Sequence, residues 1–158
     1  MDTSALDDAY RRLLDVAESF HDTGSLPEAD RSTVDWTLAH LALSDRILAA
    51  TADAVRAGTP PVVDNRDAMD EVTVTALIAS TTHDERVTLV RRNAAELAAA
   101  TARIPDDAAD TPVLVRLVGR DQRPVPEQRL AWRDLILLRA GHHVPGHTAR
   151  LAALVPPA

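Results

Sequence analysis

Three histidines lie close together near the carboxyl end of the sequence, in the stretch "AGHHVPGHTARL" at residues 140–151. His143 and His147 are four residues apart, a spacing that places two side chains on one face of a helix with Cβ atoms about 5–6 Å apart. Two imidazoles placed in this way can each reach one ion at about 2.0–2.1 Å. The two residues are therefore candidate ligands of a single metal ion.

A proline separates these two candidate ligands. Pro145 has no N–H to donate to the carbonyl of Gly141, and its ring presses against that carbonyl, so we expect a kink. The helix could continue past the kink, or it could end early and leave the histidines at the negative end of the helix dipole. Because residues 148–154 resume apolar spacing and need a core to face, we predict a continuous, kinked helix.

A metal site that is open to substrate uses three protein ligands and a water, so a third ligand is required. His40 is the best candidate, since it lies in the middle of the helical stretch "DWTLAHLALSDR". Small hydroxyl residues flank it, and they could orient a ligating ring or could simply satisfy a histidine in the core. Both interpretations are open on spacing alone. The flanking hydroxyl residues are Thr37, Ser44 and Thr51.

Three further side chains are candidates for catalysis or ligand binding. Arg139 and Arg150 fall near the face of the paired histidines and could hold a carboxylate of a ligand, or could simply be solvated. Tyr10, the only tyrosine, could donate a proton, although packing between helices is the alternative role. The other histidines are expected at the surface: His21, His83 and His142.

Helices must position most of these residues. Residues 4–21 follow the spacing of an amphipathic helix, and a second helix is expected from Ser32 or Thr33 to Gly58, where glycine ends it. Thr82 and Glu85 form a capping box that opens a third helix, which ends near Ile104.

The segments between the helices are less regular. Residues 59–67, "TPPVVDNRD", are expected to form a loop, and residues 68–80 a helical turn or two. The β-branched stretch "VLVRLVG" predicts one short strand or hairpin, and Pro126 is expected to open the last helix. The sequence therefore predicts one all-α domain over residues 1–158, a four-helix bundle with a short strand or hairpin before the last helix.

Composition narrows the class of partner. The net charge of −7, from 24 acidic and 17 basic residues, argues against nucleic acid or an anionic membrane as a partner. No stretch approaches the roughly 20 apolar residues of a membrane span. The acidic amino terminus lacks the pattern of a signal peptide, so we expect a cytoplasmic protein. A small-molecule substrate is the expected partner, and a homodimer is left open.

Three motifs make the chain similar to a known family. The stretches "WTLAHLALSDR", "VVDNRDAMDE" and "LILLRAGHHVPGHTARLAAL" resemble the DinB-like superfamily of bacterial helical bundles. That superfamily includes the N-terminal domains of mycothiol-dependent maleylpyruvate isomerases and the bacillithiol transferases. Its members place a metal-binding histidine before a leucine in the second helix and a His-x-x-x-His or Glu-x-x-x-His pair in the fourth. Carried over to this sequence, those positions are His40, His143 and His147.

The resemblance implies a metal-dependent enzyme, a thiol S-transferase or isomerase that acts on small electrophiles. The chain has no cysteine, so the thiol would be a diffusible cosubstrate such as mycothiol. Zinc is the expected metal, with nickel and iron as alternatives. Two other functions stay open: a thiol-independent biosynthetic enzyme that catalyses cyclisation or isomerisation in the bundle cavity, and a non-catalytic metal-binding stress protein.

Overall fold

Helices make up most of the chain, and three short strands are inserted between them. The structure is a computed structural model, and it describes residues 1–21 and 23–155. No helix in the described ranges is both long and apolar enough to cross a bilayer. The elements are α1 Ser4–Glu18, α2 Glu28–Ala57, β1 Val62–Asp64, α3 Arg66–Met69, α4 Glu71–Ala79, α5 His83–Ala102, β2 Pro112–Arg116, β3 Gln128–Ala131, α6 Trp132–Leu138, a π-helical segment Arg139–His143, and α7 Val144–Ala152.

The helix ends match the predicted capping box of α5 and the predicted glycine stop of α2, but not the predicted start of α2. The capping box of α5 is present: the Glu85 N–H donates to the Thr82 hydroxyl, and the Thr82 N–H donates to the Glu85 carboxylate at 2.7 Å. Gly58 ends α2 in the left-handed conformation, with φ of 69°. The predicted start of α2 at Ser32 or Thr33 was wrong, because the helix begins at Glu28, directly after Pro27. A proline followed by acidic residues is itself a signal for a helix start.

The long helix α2 lies at the centre of the molecule. It forms its most extensive helix contact with α5, and the Asn93 amide of α5 donates to the Ala42 carbonyl of α2 at 2.8 Å. One stripe of α2 repeats with alternating spacings of four and three residues, and all its members are buried. The stripe consists of Val34, Leu38, Leu41, Asp45, Leu48, Ala52 and Val55.

The strands form one mixed sheet in the order β1–β2–β3. β1 pairs in parallel with β2, with Val63 opposite Val115, and β2 pairs antiparallel with β3, with Val113 opposite Leu130. Two expectations were therefore wrong. The segment that contains residues 62–64 is a strand and not a loop, and the last helix begins at Trp132 and not at Pro126. In both places hydrogen bonds to β2, which is distant in sequence, decide the conformation.

The β2–β3 hairpin continues past the sheet to a tight turn. An isolated bridge joins Val118 to Pro124, and the Gly119 N–H donates to the Arg123 carbonyl at 2.9 Å. The Asn65 side chain binds both the N–H and the carbonyl of Val118, at 2.7 and 3.1 Å. Gln122 donates to the Met69 carbonyl at 2.6 Å. These contacts hold the turn against the segment around α3.

The last helix is continuous through Pro145, as predicted. α6, the π-helical segment and α7 follow one another without a break from Trp132 to Ala152. The Val144 N–H donates to the Arg139 carbonyl five residues earlier, which defines the wide turn. A wider turn just before Pro145 separates its ring from the carbonyls that a regular α-helix would press against it. The proline thus changes the register of the helix and does not end it.

Candidate metal centre

Three imidazoles converge where α2 meets the last helix. One ring nitrogen from each of His40, His143 and His147 lies within 4.8 Å of the other two. The ring centroids are 5.5 Å apart for His40 and His143, 5.3 Å for His40 and His147, and 4.7 Å for His143 and His147. His40 and His147 are buried, and His143 is the most exposed of the three. The three residues singled out from the sequence therefore lie in one cluster.

A backbone carbonyl orients the His40 ring. Its Nδ1 lies 2.9 Å from the Ala68 carbonyl oxygen of α3. A carbonyl only accepts, so Nδ1 carries the proton and Nε2 carries the free lone pair. The neighbouring hydroxyls, which could have oriented or satisfied this ring, do neither: Ser44 donates to the Leu41 carbonyl, and Thr51 donates to the Ile47 and Val62 carbonyls. The Thr37 hydroxyl has no partner among the described residues. Ala68 takes this role because α3 packs against α2.

An aromatic stack covers one face of the same imidazole. Trp36, one turn earlier on α2, lies parallel to His40 with ring centroids 4.7 Å apart and planes inclined by 8°. The Arg120 guanidinium, from the hairpin turn, lies 3.9 Å from the Trp36 ring centroid. Stacking and the Ala68 hydrogen bond together restrict rotation of the His40 ring, which is the constraint that a preorganised ligand needs.

The donor set fits a divalent cation. Nδ1 of His147 is buried and has no hydrogen-bond partner among the described residues. Leaving a buried ring nitrogen without a partner costs free energy, unless a group that does not belong to the protein binds it. Three imidazole nitrogens are the protein ligands of open zinc sites, which keep a fourth position for water or substrate. His40, His143 and His147 would hold the ion.

The environment keeps all three rings neutral. Burial lowers the pKa of His40 to about 4, that of His147 to about 3 and that of His143 to about 2. The positive charges of Arg139 and Arg150 lower these pKa values further. Only a neutral imidazole has a lone pair to offer to a metal. The cluster is thus in its metal-binding protonation state at neutral pH.

A buried charged network lies beside the cluster. Arg139, four residues before His143, donates to the Asp45 carboxylate at 2.5 Å, to the Ser44 hydroxyl at 2.8 Å and to the Tyr10 hydroxyl at 3.0 Å. Tyr10 in turn donates to Asp45. Burial raises the pKa of Asp45, against the opposing effect of Arg139, and raises that of Tyr10 well above its usual range. Arg139 thus holds a carboxylate of its own chain, and the Tyr10 hydroxyl is engaged in the same network.

A cavity of about 240 Å³ opens next to the histidines. It lies between α2, the sheet and α6, and both His40 and His143 contribute to its wall. Most of the remaining wall is aliphatic, from Ile47, Leu48, Val63, Val115, Leu130 and Leu135. An apolar group in this cavity would lie next to the imidazole cluster.

The other predicted residues fall outside the cluster. His21 and His142 are exposed, as expected. His83 is half-buried, against expectation, because its Nε2 lies 3.0 Å from the Ala17 carbonyl and its ring contacts Phe20 edge-on. Arg150 is exposed on α7.

Sequence reasoning missed Asp45, Ala68 and Arg120. Asp45 had a readable signal, a charge within the apolar repeat of α2. Ala68 acts through its backbone, and Arg120 reaches the site only through the fold of the hairpin.

Comparison of the chain with protein-family models, with curated proteins and with solved structures finds no match in any of the three. What the centre can do therefore follows from the chemistry of its own residues.

Proposed function

We propose that the protein is a divalent-metal-dependent enzyme that acts on a small molecule, with a diffusible thiol as cosubstrate. The observation that carries this proposal is the convergence of three neutral imidazoles within 4.8 Å, beside an apolar cavity. A three-histidine site of this kind leaves a coordination position for a ligand from solution. The ion, when bound, would supply Lewis acidity that lowers the pKa of a thiol or polarises a substrate oxygen.

The chain's own residues provide binding and orientation for such a reaction. His40, held by the Ala68 carbonyl and by Trp36, fixes one side of the centre. The aliphatic wall excludes water from an apolar group placed beside His143. In an S-transfer the thiol sulfur bonds to the electrophilic carbon, the bond from that carbon to its leaving group breaks, and the thiol proton departs with the leaving group. In an isomerisation the thiol adds and is released unchanged.

The lining of the cavity favours a second candidate function. Aliphatic side chains outnumber polar ones in its wall, and two of the polar ones, Arg139 and Asn65, are already bonded to Asp45 and Val118. A strongly hydrophilic thiol gains little from such a wall, whereas an apolar substrate that rearranges without a thiol fits it well. A thiol-independent cyclase or isomerase is therefore the alternative enzyme, and a non-catalytic metal protein is the remaining one.

Metal analysis of protein purified without a histidine tag tests the centre. We expect one divalent ion per chain, and we expect His143→Ala and His147→Ala each to lose it. His142→Ala is the matched control, because it removes the neighbouring imidazole, which is exposed and outside the cluster. Full occupancy in either His143→Ala or His147→Ala would show that the assignment is wrong.

Thermal-shift titration with mycothiol, glutathione and cysteine then separates the candidate functions. A thiol-dependent enzyme is stabilised by a thiol only when metal is present, and it consumes an electrophile only when both are present. Stabilisation by metal without any response to a thiol would leave the thiol-independent enzyme or the non-catalytic protein.

A further inference from the structure

The wall of the cavity beside the histidines contains a buried cation, Arg139. Two nitrogens of its guanidinium are engaged: Nε donates to the Tyr10 hydroxyl, and Nη2 donates to the Ser44 hydroxyl and the Asp45 carboxylate. The third nitrogen, Nη1, forms no hydrogen bond among the described residues, and it is not sealed from solvent. The guanidinium is a rigid plane, so the bonds at Nε and Nη2 also fix the direction of the N–H groups on Nη1. Since Arg139 borders the cavity, Nη1 is an oriented donor for a ligand that enters it.

The charge of this arginine is already balanced within the chain. Asp45 is 0% exposed and accepts from Arg139 at 2.5 Å, so the two side chains form a buried ion pair. A carboxylate or phosphate placed at Nη1 would add a second negative charge against one cation, and burying an unbalanced charge is costly. A neutral carbonyl oxygen accepts the N–H bond without adding charge. The donor therefore favours the oxygen of a ketone, aldehyde, ester or amide over an oxyanion.

The remaining wall limits the size of the ligand and makes its body apolar. Val63 and Val115 of the sheet and Leu48 of α2 are buried, and Leu135 of α6 is half-buried at the same cavity. An apolar cavity of about 150 Å³ holds a benzene molecule, so the cavity of about 240 Å³ has room for a phenyl ring with a short chain. Removal of such a body from water supplies most of the affinity in a pocket of this kind.

We infer that this cavity binds a compact, uncharged molecule with an apolar body and a carbonyl oxygen, and that Arg139 selects it by donating from Nη1 to that oxygen. His40 and His143 belong to the same wall, so the carbonyl compound lies beside the three-histidine centre. Carbonyl compounds are electrophiles, and the identification of this ligand with the substrate rests on the proposed function. Binding itself does not, because neither the aliphatic wall nor Nη1 needs a metal to act.

Three probes that share a phenyl ring and a short chain test the ligand class. Benzylacetone ends in a ketone, hydrocinnamate in a carboxylate and butylbenzene in a hydrocarbon. We would measure their dissociation constants for the full, metal-free chain by ligand-observed NMR. Benzylacetone and butylbenzene are expected to bind saturably, and hydrocinnamate at least about tenfold more weakly than benzylacetone, because its charge has no counterion. The inference is overturned if benzylacetone does not bind, or if hydrocinnamate binds as tightly as benzylacetone.

Arg139→Lys tests the role of Nη1. The lysine keeps a cation beside Asp45 but removes the planar fork. Benzylacetone is expected to bind about tenfold more weakly to this variant, because a charge-assisted hydrogen bond is lost, whereas the affinity for butylbenzene should change by less than about twofold. Butylbenzene thus reports whether the cavity is intact. Equal weakening of both probes would mean that Arg139 acts on the structure alone and does not select the ligand.

A pair of variants on α6 tests the cavity without altering the buried charges. Leu135→Trp fills the cavity from its wall and is expected to weaken the binding of both benzylacetone and butylbenzene by more than about tenfold. Leu137→Trp is the matched control, since Leu137 is 61% exposed on the same helix and lies outside the wall. An equal effect of the two variants would place the ligand elsewhere and overturn the inference.

A zinc titration of the same proteins separates this inference from the proposed function. Benzylacetone binding without zinc binding would leave the cavity site standing and refute the proposed function. Zinc binding without benzylacetone binding would refute the ligand class and leave the metal centre standing.

Discussion

Asp45 is the residue whose environment departs furthest from its type. It occupies one position of the buried repeat of α2, where every other member is apolar, and its side chain is 0% exposed. Burying an unpaired carboxylate at this position would cost a large amount of free energy. Arg139 supplies a cation and Tyr10 a hydroxyl donor, and both bond to the carboxylate. The network joins α1, α2 and the π-helical segment. Arg139 also donates to the hydroxyl of Ser44, which lies one helix turn after His40. The buried network is thereby connected to the helix that carries this candidate ligand.

Removing Arg139 is expected to be strongly destabilising. Arg139→Met leaves the Asp45 carboxylate buried without its cation, and we expect the free energy of unfolding to fall by about 3–5 kcal/mol. The double variant Asp45→Asn, Arg139→Met should lose less than the sum of the two single variants, because no buried charge remains. Urea unfolding of all four proteins measures this coupling. Additive losses would mean that the pair is not coupled.

At the scale of elements, two irregular pieces position the centre. The π-helical segment inserts an extra residue before His143 and so sets the register of α7 relative to α6. The hairpin turn crosses to α2 and brings Arg120 over Trp36. Regular helices alone would provide His40 and His147. They would provide neither the stacking of Arg120 on Trp36 nor the wide turn at Arg139–His143. Irregular elements thus lie on both sides of the cluster.

Asn65 holds the hairpin in place through its two hydrogen bonds to the backbone of Val118. Asn65→Ala removes both hydrogen bonds to Val118, and we expect a loss of about 1–3 kcal/mol of stability, since those backbone groups lose their partners. We also expect the emission of Trp36 to change, because Arg120 is no longer held over its ring, while zinc affinity changes little. Urea unfolding, tryptophan emission and a zinc titration measure these effects. A large loss of zinc affinity would instead indicate general unfolding of the site.

For the whole molecule, the three histidines link folding to protonation. Their folded pKa values, about 4, 3 and 2, lie below the value of about 6.5 expected for the unfolded chain. Between these limits the unfolded chain binds more protons than the folded one, so stability rises with pH. The contribution is fully present above about pH 6.5 and is lost as the pH falls through the folded pKa values.

The metal-free protein should therefore lose stability steadily from about pH 6.5 to pH 4.5, before most carboxylates titrate. Urea midpoints across this range measure the slope. His143→Ala should flatten the slope, because it removes one titrating ring with a lowered pKa, whereas the exposed-site variant His142→Ala should leave it close to that of the native chain. Bound zinc should also be released on acidification, since protons compete for the same lone pairs. A flat profile between about pH 6.5 and 4.5 would contradict the lowered pKa values.

Several features were determined by the sequence alone, because they depend on residues close together in the chain. The capping box at Thr82, the glycine stop at Gly58 and the four-residue spacing of His143 and His147 are local, and the structure contains all three. The predominantly helical class follows from periodicity in the same way. His40 was also identified, from its position in a predicted helix. Local spacing could not predict that it lies close to His143 and His147; only the family resemblance or the tertiary structure provides that proximity.

The tertiary structure decided whatever depends on partners distant in sequence. β1 and β3 are strands because β2 offers them hydrogen bonds, and their own residues carry no stronger signal than those of a loop or a helix start. The carbonyl that orients His40 belongs to Ala68, 28 residues away, and the counterion of Asp45 is Arg139, 94 residues away. Arg120 lies over Trp36 only because the hairpin turn crosses to α2. A backbone carbonyl has no residue type to reveal it, and an arginine has the same letter whether it is solvated, paired with a carboxylate or stacked on a tryptophan.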